Sequence, residues 1–288
     1  MRLPTRLLRR KADSGKGDFG HLFILAGSAC YSGAAALCAE SAIRSGAGLV
    51  TLGIPEGINN ALIKIKPKEA MTLPLPQTRE GYLSSVSFKE IKEFVKRADI
   101  VIIGPGLGSD KGTQILVRRL VREINKPMVI DADGLNALAG NLRSLPTPNT
   151  QHPTPIILTP HPGEMARLIG KSVKTVQADR PGIAKKFSKA HKVILVLKGH
   201  KTIVADYKGK VYTNNTGNPG MSTAGSGDVL AGMIGAFLGQ GLCGFDAAKY
   251  GVYLHGLAGD LAAGEKTELC LAASDIIDKI PQAVKLSR

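Results

Sequence analysis

A chain of 288 residues, 43% hydrophobic and 21% charged, is long enough to bury a full core and too apolar to stay disordered, so a soluble globular protein is expected. Its net charge of +15, from 38 Lys and Arg against 23 Asp and Glu, attracts anions; with 5% aromatic residues and no Trp there is little for base stacking, so small phosphorylated ligands are favoured over nucleic acid. No apolar run approaches the ~18 residues of a membrane span, and Cys30, Cys38, Cys243 and Cys270 lack CxxC or His-pair spacing, so zinc and disulfides are disfavoured and reduced, mostly buried thiols of a cytoplasmic protein are expected.

Residues 1–15, MRLPTRLLRRKADSG, are basic but lack the apolar core of a signal peptide. They are expected as a flexible, solvated tail ahead of one domain over 16–288. HLFILAG (21–27) reads as a buried strand and GAAALCAESAIRSGAG (33–48) as a helix closed by glycines. LVTLGIP (49–55), ADIVIIGPG (98–106), PMVIDAD (127–133), PIILTP (155–160) and VILVLKG (193–199) repeat the strand signature: β-branched, almost unbroken in apolarity, ending in Gly, Pro or Asp. Helical stretches at 111–124 and 173–190 fall between them. That alternation predicts an α/β fold of right-handed βαβ units, with a mainly parallel sheet covered on both faces. Proline-rich LPTPNTQHPTP (145–155) reads as a surface loop within the same domain. Beyond residue 200, KTIVADYKGKVYTNN reads as a hairpin around YKGK, and 226–240, 245–263 and 273–286 read as helices.

Ligands of open parallel sheets bind beyond the carboxyl ends of the strands, which gathers GPGLG, DADGLN, TPHPGE and KG on one rim. In AGSGD (224–228), Gly225 and Gly227 let a ligand approach the main chain, and a helix starting near Ser226 turns unpaired N–H groups toward it. Asp228 beside such an anion hole can accept a proton; an acid in a first helical turn also answers the helix dipole alone. Gly232, Gly235 and Gly239 each cost a helix about 1 kcal/mol against Ala, so close packing or a fixed geometry is expected there. GPGLG (104–108) misses the G-x-G-x-x-G spacing but offers a backbone surface to a ligand. DADGLNAL (131–138) fits either Mg²⁺ with its water shell or a helix capped by Asp133. His161, between stiffening prolines, is either a site residue or an exposed loop histidine. In KGHKT (198–202), Lys198 and Thr202 either meet phosphate or form an ordinary basic turn.

Together, KGDFG (16–20), AGS (26–28), YSGAAALCAESAIRSGAGLVTLGIP (31–55), IGPGLG (103–108), VIDADGLNAL (129–138), LTPHPGEMARL (158–168) and GNPGMSTAGSGDVLAG (217–232) occur in family order. From about Lys16 to the C-terminus the chain resembles the ADP/ATP-dependent NAD(P)H-hydrate dehydratases, the carbohydrate-kinase-like domain of NAD(P)HX repair. The resemblance implies a ribokinase-like three-layer sandwich. It also implies ADP-dependent, or ATP-dependent, dehydration of the S-epimer of hydrated NADH or NADPH, by phosphorylation of the C6 hydroxyl and elimination of phosphate. Carried over, Ala34, Gly108, His161 and Asp228 contact the hydrated dinucleotide, with Asp228 as base. Lys198, Gly199, His200, Lys201 and Thr202 contact the adenine nucleotide, with Gly225, Ser226 and Gly227 as the anion hole. Mg²⁺ accompanies the phosphates without a dedicated cage. A stand-alone dehydratase, working with a separate NAD(P)HX epimerase as a cytoplasmic homotetramer without nucleic-acid or membrane partners, is the expected form. Where many relatives read GGTGD this chain reads AGSGD, and the Ala224 methyl restricts positive φ. A kinase of a small alcohol such as a vitamin precursor, and a non-catalytic nucleotide sensor, are the alternatives. TPHPGE and KGDFG favour the dehydratase over the first, Asp228 over the second.

Overall fold

Strands that are apolar at successive positions can be buried on both faces, and six of the segments read that way form the centre of one sheet. The computed structural model describes residues 1–146 and 154–288, so the 145–155 loop reading lies largely outside the described residues. The strands are β1 (His21–Leu25), β2 (Leu49–Pro55), β3 (Met71–Leu75), β4 (Ile100–Ile103), β5 (Met128–Ile130), β6 (Ile156–Leu158), β7 (Ile194–Leu197), β8 (Ile203–Ala205) and β9 (Val211–Thr213). They form a nine-stranded sheet in the order β3-β2-β1-β4-β5-β6-β7-β8-β9. Pairing is parallel from β3 to β7 and antiparallel through the β8–β9 hairpin. β3 carries no strand signature in sequence because Pro74 interrupts it; at a sheet edge that proline is tolerated.

The helices are α1 (Thr5–Leu8), α2 (Ser32–Arg44), α3 (Asn59–Ile65), α4 (Phe88–Val95), α5 (Lys111–Glu123), α6 (Asp133–Leu138), α7 (Pro162–Ile169), α8 (Val173–Ala178), α9 (Arg180–His191), α10 (Ser226–Gly239), α11 (Gly244–Lys266) and α12 (Ala273–Leu286). Period-two alternation divides the strands between two cores. Leu22, Ile24, Ile100 and Ile102 pack with α2, α10, α11 and α12, whereas Phe23, Leu25, Val101 and Ile103 pack with α4, α5, α6, α7 and α9. This is the expected three-layer α/β sandwich. The stretch read as one helix over 173–190 is two, because the chain breaks at Asp179 (φ −147°, ψ 66°). Among the described residues no helix is long and apolar enough to cross a membrane.

Two sequence expectations are corrected. The basic N-terminus, read as a solvated tail, is docked: Leu3 is buried, and its N–H donates to Ser287 O at 2.8 Å. Arg6 Nε donates to Gln240 O at the end of α10, and Arg10 to Gly46 O just beyond α2. An apolar anchor and two helix C-termini, whose free carbonyls attract cations, account for the docking. The cysteines are free thiols as expected, but only Cys38 is buried. Cys30 lies before α2, Cys243 caps α11, and Cys270 lies between α11 and α12, where composition gives no burial signal.

The glycines of α10 are explained by its depth. A Cβ on Gly232 would lie 2.1 Å from Ser41 Oγ and 2.3 Å from Cys38 O of α2. One on Gly235 would lie 2.5 Å from Ile102 Cδ1 of β4, and one on Gly239 2.9 Å from Leu22 Cδ1 of β1. Gly264, on exposed α11 surface, has nothing among the described residues within 4 Å of its would-be Cβ. Gly232→Ala is therefore expected to destabilise the protein by about 2 kcal/mol despite its better helix propensity. Gly264→Ala is expected to stabilise it by about 0.5–1 kcal/mol. Urea denaturation midpoints at unchanged m-value measure both.

Candidate active site

The strand order reverses between β1 and β4, and the crevice at such a switch point is where an open sheet leaves room for a ligand. The loops after these strands are joined there, Gly27 N donating to Pro105 O at 2.8 Å. A cavity of about 350 Å³ opens at this rim, lined by Tyr31, Ala34, Tyr82, Gly106, Gly108, Ser109, Asp133 and Asp228. Gly108 has φ +78°, and a Cβ there would lie 2.4 Å from the Tyr82 ring, so the tyrosine rests directly on the main chain. Asp133 is the first residue of α6, not its cap. Its Oδ2 accepts from Gly108 N at 2.8 Å and its Oδ1 from Asn136 Nδ2 at 3.1 Å, so it tethers DADGLN to GPGLG.

A second cavity, about 870 Å³, lies on the other side of the α10 N-terminus. Lys198, Gly199, His200, Lys201 and Thr202 line it, with His161, Ser226, Gly227, His255 and the 214–223 segment. Consecutive residues of one helical turn thus divide between the two cavities: Ser226 and Gly227 face the larger, Asp228 the smaller. Gly225 lines neither. Its φ of +87° turns the chain into α10, where a Cβ would lie 2.4 Å from Leu37 Cδ1.

Beneath that turn is a cluster of charges. Asp131, at the end of β5 and fully buried, accepts from Thr159 Oγ1 and from Lys198 Nζ, both at 2.7 Å. Glu164 Oε2 lies 3.8 Å from the same Nζ. Burial drives the Lys198 pKa down, but Asp131 and Glu164 outweigh it and raise it above its ordinary value. Glu164 is raised chiefly by burial, against the pull of Lys198. Asp228 is pushed up to about 7, first by burial and next by Asp131, with Lys198 opposing and Asp133 and Glu164 adding. Lys198, which the sequence leaves open between a phosphate contact and a basic turn, thus has its ammonium held between two carboxylates.

His161 caps α7. Its Nδ1 accepts from Gly163 N at 2.9 Å and Glu164 N at 3.3 Å, so in the neutral ring the proton sits on Nε2. Burial, then Lys198 and Arg167, lower its pKa and favour that form. Of the four residues carried over as dinucleotide contacts, the structure brings Ala34, Gly108 and Asp228 together and sets His161 in the other cavity.

Sequence reasoning assigned no site role to Tyr31, Tyr82 and His255, and it read GNPGMSTAGSGDVLAG as a motif without placing its first half on a cavity wall. Buried His255 faces Ser226 Oγ across 3.3 Å, and burial lowers its pKa to about 4, so it is neutral. In YLHGLAG it sits in an apolar helical pattern and reads as core; the tyrosines lie in loops without a spacing signal.

The sequence pattern of the NAD(P)H-hydrate dehydratase family matches residues 22–282. The chain is 43% identical over 281 residues to the bifunctional NAD(P)H-hydrate repair enzyme Nnr of Moorella thermoacetica, covering 98% of this chain and 52% of that protein. It thus spans about half the length of the curated relatives of that kind. The ADP-dependent (S)-NAD(P)H-hydrate dehydratase of Neisseria meningitidis serogroup B is 37% identical, covering 100% of this chain and 91% of that protein. Among solved structures, the ADP/ATP-dependent NAD(P)H-hydrate dehydratase of Bacillus subtilis, co-crystallised with ATP/Mg²⁺, superposes with a TM-score of 0.83 at 31% identity, covering 97% of this chain and 94% of that one. The ribokinase-like sandwich is therefore the fold. With the family pattern running through nearly the whole sheet and both sides of the cleft, the chain belongs to the NAD(P)H-hydrate dehydratase family.

Proposed function

We propose that this chain dehydrates the S-epimer of hydrated NADH or NADPH with ADP, or ATP, as phosphoryl donor. The observation that carries the reading is the division of one helical turn between two cavities, with Ser226 and Gly227 on one side and Asp228 on the other. In this reading Ala34, Gly108 and Asp228 hold the hydrated nicotinamide end, and His161 meets another part of the dinucleotide as a neutral Nε2–H donor. Lys198–Thr202, Ser226 and Gly227 serve the adenine nucleotide, with Gly225 turning the chain into α10 behind them. The C6 hydroxyl attacks the terminal phosphorus while Asp228 takes its proton, and the N–H groups opening α10 stabilise charge on the phosphoryl oxygens. Phosphate is then a better leaving group than hydroxide; its departure with the proton from C5 restores the ring double bond.

Mg²⁺ belongs to the proposal as a companion of the nucleotide's phosphates, where it supplies charge neutralisation. Among the described residues no three His, Cys, Asp or Glu side chains are grouped to hold a metal ion, and Asp131 is engaged by Lys198 and Thr159. That arrangement fits an ion held largely by phosphate oxygens and water. An S-specific enzyme leaves the R-epimer untouched, so the proposed partner is an NAD(P)HX epimerase. Assembly as a homotetramer and a cytoplasmic location are part of the same proposal and follow from the family resemblance.

Incubation with hydrated NADH, Mg²⁺ and ADP is expected to restore the near-ultraviolet absorbance of reduced nicotinamide and release AMP and phosphate. Phosphorylation of a simple alcohol without that recovery would replace the dehydratase by a kinase. Asp228→Asn is expected to retain ADP binding and lose about 10²–10⁴-fold in kcat; turnover within a few-fold of wild type removes Asp228 as the base. The same variant is expected to unfold at higher temperature than wild type at pH 8. Asp228's pKa is raised from 3.8 to about 7 in the fold, which therefore holds a disfavoured charge above pH 7. The gain should shrink as pH falls from about 7 and be absent below about 4, where both states are protonated. The kcat/KM profile of the wild type is expected to fall tenfold per unit below about pH 7, as Asp228 takes up its proton.

A further inference from the structure

Arg180 is the first residue of α9, just after the break at Asp179, whose Oδ1 accepts from Gly182 N at 2.9 Å. The guanidinium reaches the carboxyl end of β7. Its Nη2 donates to Leu197 O and Lys198 O, both at 2.9 Å, and its Nη1 donates to His200 O. All three acceptors are main-chain carbonyls, and Nε is buried without a partner among the described residues. Burial lowers the arginine's pKa, yet a guanidinium stays charged at any working pH. A fixed positive charge with carbonyls in place of a carboxylate therefore lies under the loop that lines the larger cavity.

The loop's conformation matches that contact. Gly199 has φ +125°, and a Cβ there would lie 3.2 Å from Arg180 Nη2, so glycine lets main chain and guanidinium close together. Lys201 adopts φ +53°, an uncommon conformation for a residue with a side chain, and Thr202 Oγ1 returns to Gly199 O at 2.9 Å. Because each peptide unit is planar and trans, drawing the carbonyls of Lys198 and His200 onto Arg180 turns the N–H groups of Gly199 and Lys201 away from it.

We propose that Arg180 is a positioning residue of the nucleotide site: its planar fork fixes the 197–201 main chain in the shape that receives the phosphates of an adenine nucleotide, and its charge adds to the attraction. The inference rests on reading the larger cavity as the nucleotide site. A lysine cannot substitute, since an ammonium does not present donors to three carbonyls in one plane.

The test is calorimetric titration of ADP, and separately of hydrated NADH, into wild type, Arg180→Ala and Arg180→Lys, with thermal unfolding of each. Arg180→Ala is expected to weaken ADP ten- to a hundredfold and to leave hydrated NADH within twofold. Guanidinium chloride at low millimolar concentration should restore ADP affinity where equal NaCl does not. Arg180→Lys is expected to raise the KM for ADP several-fold while kcat at saturation is kept, and this variant carries the test if the alanine variant does not fold. Wild-type ADP affinity in Arg180→Ala, or a parallel loss of both ligands, would overturn the proposal. Full recovery in Arg180→Lys would also overturn it, by reducing the effect to charge. A wild type that binds no adenine nucleotide sinks the site reading itself, which is a distinguishable result.

Discussion

The candidate site depends on how deeply α10 is set into the molecule. A helix N-terminus presents N–H groups to a ligand only if the helix body holds it in place, and α10 lies directly on β1, β4 and α2 at Gly232, Gly235 and Gly239. A side chain at Gly232 would press on α2, and one at Gly235 or Gly239 on the Ile102 and Leu22 side chains of β4 and β1, so glycine is what lets the helix lie this close. The other end of the helix is held by Arg6, which donates to Gln240 O. Low intrinsic helix propensity is thus the consequence of a packing requirement.

The second constraint is electrostatic. Asp131, Glu164 and Asp228 surround one lysine, so the cluster has more acid than base at its centre. A buried pair of this kind is poor evidence for stability, because desolvation offsets much of the attraction. Its consequence here is for proton affinity. Lys198 meets Asp131 at 2.7 Å and Glu164 at 3.8 Å, leaving too little positive field to pull Asp228 back to an ordinary carboxylate value.

Much of this was legible in the sequence, and what was not has identifiable causes. The parallel strands, the hairpin and the start of α10 at Ser226 could be read because apolar runs and glycine boundaries are local signals. β3 was hidden by Pro74, and the break at Asp179 by helical patterning that continues on both sides. The rim motifs were visible as separate stretches, but their partners were not. Nothing in DADGLN announces that Asp133 reaches Gly108, nor in KGHKT that Lys198 is held by Asp131, since those contacts join residues 25 and 67 positions apart. His255 failed for the opposite reason, since a buried polar residue on an apolar helix looks like core until Ser226 is found opposite it. Leu3 and the arginines beside it read as a tail, because a single apolar anchor is too weak a signal against a run of charge.

These features together explain why a chain of net charge +15 has an acidic centre to its site. The excess of Lys and Arg attracts polyanions to the protein as a whole, and that field is screened over about 8–10 Å at physiological salt. Had the same charge been placed beside Asp228 as free ammonium groups, it would bind phosphate well and depress the carboxyl pKa, which would leave a weaker base. Neutral donors avoid that conflict. The N–H groups of a helix terminus attract phosphoryl oxygens through local dipoles, and neutral His255 adds no charge beside Ser226. Two fixed cations close to the site are restrained by geometry: Lys198 is held by two carboxylates, and Arg180 is turned to the carbonyls behind the loop. Binding strength can therefore come from the periphery and the backbone while the carboxylate at the centre keeps its affinity for a proton.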